Sequence, residues 1–139
     1  MRAPRGGYIF AVVCVAVFSY GALVYSRFMA RIPRGDWGGD HINMNVGDTS
    51  AKIEYDCAQG YIQGPLVIDD EGKFNLRGTF TPERGGPTRL GDKPREQQAT
   101  YTGEIKGNTM TLIMKIADSD DAETFTLEKG KTGKLVKCK

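Results

Sequence analysis

The sequence predicts an all-β protein: an antiparallel up-and-down meander of about eight strands closing into a small barrel, preceded by an N-terminal transmembrane or signal helix. Three observations predict it. Beyond residue 36 apolar residues recur with period two, the mark of strands with one buried and one wetted face. Turn residues separate these runs at hairpin spacing. Residues 8–25 form an uncharged run of 18 residues, preceded by Arg2 and Arg5 and followed by Arg27, Arg31 and Arg34.

As a helix that run spans roughly 27 Å, close to the thickness of a bilayer's hydrocarbon core. A cleaved signal and an uncleaved anchor both fit. Val24-Tyr25-Ser26 suits cleavage, but the new end would begin at Arg27 with three arginines before any acid, which favours the anchor. Cys14 reads as an apolar filler. The division is therefore 1–35, anchor or signal with a basic linker that contributes no apolar face, and 36–139, the barrel domain.

Flanking charge is nearly balanced and does not orient the segment. The cysteines do. Cys57 and Cys138 remain as an even pair with no CxxC spacing, which points to a disulfide in a periplasmic or extracellular space. Both share the apolar parity of their runs, Cys57 with Ile53 and Tyr55, Cys138 with Val136, so both are expected to point inward. Residues 36–139 hold 14 Lys and Arg against 17 Asp and Glu, a net charge of −3, so the basic balance belongs to the leading segment. Nucleic acid is not an implied partner.

The strands follow in order. The run 41–46 alternates around Ile42, Met44 and Val46, and 52–57 around Ile53, Tyr55 and Cys57. Next, 74–80 alternates around Phe74, Leu76 and Phe80 with Gly78 at an inward position, and 109–116 around Met110, Leu112, Met114 and Ile116. Fainter runs are 61–68, 99–106, 123–128 and 134–138. Gly47-Asp48, Asp69-Asp70-Glu71-Gly72, Gly107-Asn108 and 129–133 supply turns. Closure into a barrel removes exposed edges, with a two-sheet sandwich as the competing arrangement. The connection 82–96 is too long for a hairpin and carries three prolines, three glycines and the arginines Arg84, Arg89 and Arg95. A loop of that length is either functional or simply solvated.

Gly35-Asp36-Trp37 resembles the Gly-x-Trp that opens the first strand of lipocalins and related calycin-type barrels. The resemblance implies a barrel carrying a small apolar ligand, with the Trp closing one end beneath a basic residue, here Lys137 or Lys139. Trp37-Gly38-Gly39, the stretch from Asp56 to Gly60 and Gly85-Gly86-Pro87 together are similar to uncharacterised exported bacterial proteins, a likeness that implies no activity.

No catalytic constellation emerges. The single histidine, His41, reads as a surface strand residue with no nucleophile placed beside it. Glu54 and Asp56 share a strand face at roughly 7 Å, a spacing that solvated alternation explains as well as acid–base chemistry. The acidic run 118–123 lacks the glycine and the final glutamate of a calcium loop. No metal or cofactor is implied. Two functions remain. One is a membrane-tethered or exported barrel binding a small apolar or amphipathic, lipid-like ligand, with Arg84, Arg89 and Arg95 on its head and Met110, Leu112 and Met114 along its tail. The other is a structural or interaction protein of the cell envelope, with a solid barrel and no ligand.

Overall fold

The computed structural model describes residues 29–138 apart from 85, 88, 92 and 94. The segment 8–25, Cys14 and Lys139 lie outside the described residues, and with them the choice between anchor and signal. Among the described residues all regular structure is β, and no helix is long and apolar enough to cross a membrane.

Ten strands form: β1 (Ala30–Arg31), β2 (Gly35–Gly39), β3 (Ile42–Val46), β4 (Ser50–Tyr55), β5 (Ala58–Gln63), β6 (Val67–Ile68), β7 (Lys73–Pro82), β8 (Gln97–Lys106), β9 (Thr109–Ile116) and β10 (Ala122–Lys129). Eight of them close into an antiparallel barrel in the order β10-β2-β3-β4-β5-β7-β8-β9, and β1 pairs with β6 outside it. The meander is as expected, and the sandwich is not formed.

Membership of the barrel differs from expectation in one exchange. β2 is a full barrel strand, although Trp37-Gly38-Gly39 shows no alternation, because Gly38 faces outward and needs no side chain. Residues 134–138 alternate but make a lone parallel bridge, Lys134 with Asp40. The run 61–68 divides into β5 and β6 at Gly64-Pro65, where Gly64 has φ 115° and proline offers no N–H.

The inward parity of each strand builds one core. Trp37, Met44, Tyr101, Met110, Leu112 and Leu127 are each 0% exposed. Tyr101 reaches from β8 over β7 toward β5, and its hydroxyl donates to the Thr79 carbonyl at 2.6 Å. The ring fits because Gly60 and Gly78 stand beside it without side chains; a Cβ on Gly78 would lie 2.9 Å from the ring. Bulk lost at the glycines is thus recovered from the neighbouring strand.

The two ends differ. At one, the clasp end, lie the turns Asp40-His41 and Asp56-Cys57, the connection 83–96 and the turn 117–121. At the other, the entry end, lie the turns 47–49 and Gly107-Asn108, the β5-to-β7 connection and the incoming segment 30–34. That segment is more than a linker. Ile32 is only 2% exposed, its amide donates to Leu66 at 2.8 Å, and the Trp37 indole donates to the Pro33 carbonyl at 3.0 Å. A single Ile among Arg and Pro has no periodicity to announce its burial.

Replacing Ile32 with Ala is therefore expected to cost about 2 to 5 kcal/mol of unfolding free energy. Met29→Ala, at a residue 67% exposed, should stay within about 0.5 kcal/mol. Equal effects in denaturant titrations would mean that the domain begins after residue 35.

Candidate binding site

The clasp end gathers most of the chemistry. After β10 the chain turns back along the outside of β2 and β3. There the Lys134 amide donates to the Gly39 carbonyl at 3.1 Å, and the His41 amide donates to the Lys134 carbonyl at 2.9 Å. Gly38 lets this strap lie against the sheet, since a Cβ would run into the backbone of Lys131 and Gly133. The strap ends at the disulfide between Cys57 and Cys138, whose Cα atoms are 5.3 Å apart across 81 residues of sequence. The bond lies outside the bore, contrary to the inward expectation. Cys57 falls in a turn, where strand parity no longer applies, and Cys138 is exposed on an irregular segment.

Asp56 is the second fastening. One carboxylate oxygen accepts the Val136 amide at 2.8 Å, and the other meets His41 Nδ1 at 2.6 Å. The Val136 amide, with His41 and then Lys137 adding to it, holds this carboxyl below its ordinary range. His41 is a turn residue with φ 65°, and not a strand residue as its neighbours suggested. The register accounts for the pair: Ile42 faces Tyr55, so the next rung carries His41 and Asp56. Asp56 is thereby committed to the strap, while Glu54 points to solvent from β4. The same turn anchors the long connection, as the Glu83 amide donates to the Cys57 carbonyl at 2.8 Å and Gln59 Nε2 donates to Glu83 at 2.8 Å.

Inside the mouth at this end, the Tyr55 ring lies 5.6 Å from Phe80 and 5.3 Å from Phe125. Tyr55 is buried, yet its hydroxyl has no hydrogen-bond partner among the described residues. Burial foremost, with Tyr101 beside it, raises the Tyr55 pKa. Burial pushes Tyr101 up to about 12.

The proposed ligand residues occupy different places. Arg84, Arg89 and Arg95 are exposed on the long connection. Met110, Leu112 and Met114 are buried along β9, 0%, 0% and 3% exposed, and Met110 sits one rung from the entry-end turn. Cys57 and Cys138 come together. Trp37 sits near the entry end with its indole on Pro33, while Lys137 lies beside Asp56 at the clasp end and does not cover it. Among the described residues no group of three His, Cys, Asp or Glu is placed to hold a metal ion. Two surface hollows stand out, one of about 250 Å³ around Arg31, Arg34 and Leu66, the other of about 440 Å³ on the outer face of β5, β7 and β8. Neither is lined by Met110, Leu112 or Met114. Compared with known proteins, the chain matches no family model, no curated protein and no solved structure.

Two outcomes follow from the buried tyrosines and the clasp. Tyr55→Phe removes an unpaired hydroxyl and should be neutral or stabilising, whereas Tyr101→Phe deletes a hydrogen bond and should cost about 0.5 to 1.5 kcal/mol. The reverse order in thermal melts would contradict this placement. Because the folded pKa of Asp56 is depressed, its contribution is present above the ordinary value of 3.8 and is lost as pH falls through the folded value. The stability gap between the native chain and Asp56→Asn should therefore be full at neutral pH and close below pH 3.8. A gap independent of pH would show that the carboxylate does not fasten the strap.

Proposed function

We propose that this chain is an exported or membrane-tethered interaction protein of the cell envelope, whose barrel is a solid scaffold and whose recognition surfaces lie on the outside. The filled bore carries this reading: inward side chains meet across it, with Trp37, Tyr101, Leu112 and Leu127 each 0% exposed. A carrier needs a cavity of several hundred Å³ that encloses its ligand. The disulfide and the uncharged segment 8–25 support a periplasmic or extracellular address and attachment to a membrane. The closed eight-strand meander opened by Gly35-Asp36-Trp37 supports kinship with lipocalin-type barrels, with the solid interior as the departure.

One observation favours the second reading, a lipid-like ligand at the mouth. The Tyr55 hydroxyl is buried without a partner beside the half-buried Phe80 and Phe125, and the connection bearing Arg84, Arg89 and Arg95 starts at the same end. A carboxylate or phosphate head meeting those guanidinium groups would leave its tail to Met114 before Leu112 and Met110.

Native mass spectrometry of the full chain extracted from membranes separates the two. The scaffold reading expects the disulfide-bonded polypeptide mass with no stoichiometric lipid, and no saturable uptake of a fatty-acid probe. A lipid retained one to one, with loss of a single arginine weakening it about tenfold or more, would replace the scaffold reading with the second.

A further inference from the structure

We propose that the outer groove across β5, β7 and β8 is a binding site for a neutral oligosaccharide chain; this deepens the scaffold reading by naming the class of partner that the outside of the barrel takes. The groove has a definite section. Tyr61 and Gln63 on β5 form one wall, Gln98 on β8 and Glu96 just before that strand form the other, and Thr79 with Gly78 on β7 forms the floor, with Arg77 also lining it. Register explains the shape. Tyr61 stands opposite Thr79 and Thr79 opposite Gln98, so a short side chain lies between two long ones on three adjacent strands. The walls are two strand spacings apart, about 9.5 Å, wide enough for a single sugar chain.

The residue types select the ligand. Tyr61, 38% exposed, is the one aromatic side chain among the exposed large apolar residues of the described surface. An exposed ring offers a flat apolar face with a polar tip, which suits the C–H face of a pyranose. Gln63, Gln98 and Thr79 each both donate and accept hydrogen bonds, as sugar hydroxyls do. Arg77 adds donors only and Glu96 acceptors only, so the groove carries no net charge. That balance disfavours a phosphate or carboxylate ligand, which would gain from Arg77 but meet Glu96. An added peptide strand is disfavoured too: β5, β7 and β8 are each paired on both sides and leave no backbone edge for it. What remains is a ligand that is flat, uncharged and rich in hydroxyl groups.

The test uses the full chain in detergent micelles, titrated by calorimetry with cellohexaose, chitohexaose, maltohexaose and xylohexaose. Saturable binding of at least one hexaose is expected, with a Kd between about 1 μM and 1 mM. Tyr61→Ala should weaken it at least tenfold, Tyr61→Phe should largely retain it, and Gln98→Ala should weaken it by a smaller factor. Lys129→Ala, at an exposed residue of β10, which pairs with none of the three groove strands, should leave it unchanged. Thermal melts of these surface variants should match the native chain, which separates lost binding from lost folding. Absence of binding to all four sugars at about 10 mM, or binding indifferent to Tyr61→Ala, overturns the proposal. In that event the scaffold reading still stands if the bore holds no lipid; a lipid in the bore would fell that reading whatever the groove binds.

Discussion

The Tyr101 ring, laid over the inward glycines of the two strands beside it, is the contact that fills the barrel's interior there. Eight strands enclose a space just wide enough for side chains to fill, and any volume left unfilled costs the dispersion contacts of its lining. In this chain the inward glycines Gly60 and Gly78 remove bulk from β5 and β7, and one large ring from β8 replaces it. The ring brings a hydroxyl into the core, and the Thr79 carbonyl receives it. Leu112, Met114 and Leu127 belong to the same buried core. The interior is thereby spent on stability.

The clasp end shows how a small barrel secures the segment that follows its last strand. A single turn, Asp56-Cys57, holds the strap through a carboxylate and a disulfide and holds the long connection through the Cys57 carbonyl. In the chain-entropy model, closing a loop of this length stabilises by about 4 to 5 kcal/mol. His41 joins the network from a left-handed backbone conformation that costs roughly 1 to 2 kcal/mol for a residue with a side chain. The pairing with Asp56 and the hydrogen bond from the His41 amide to the Lys134 carbonyl offset part of that cost. Strap, turn and connection therefore behave as one fastened unit at the end farthest from the incoming N-terminal segment.

The fold was largely legible in the sequence because period-two alternation survives wherever one face of a strand is buried and the other wet. Ile53 and Tyr55 on β4, or Met110, Leu112 and Met114 on β9, read directly as inward residues. Legibility failed where burial came from something other than a core face. Gly38 in β2 is covered by the returning strap, Ile32 by the loop at Leu66, and Cys138 is held by its partner cysteine and no strand. The candidate sites were harder still. His41 and Asp56 are 15 residues apart, and only the register of β3 on β4 makes them neighbours. The outer groove depends on three strands in register, so Tyr61, Thr79 and Gln98 give no local signal at all.

The central claim is that the bore admits no ligand. It is tested most directly by 13C-methyl methionine NMR of the full chain in a micelle, because Met44, Met110 and Met114 report on the interior and are each at most 3% exposed. The account predicts three interior methyl resonances that keep their shifts as a fatty-acid probe is titrated to saturation of the micelle. Resonances of Met110 or Met114 moving saturably with the probe would contradict it.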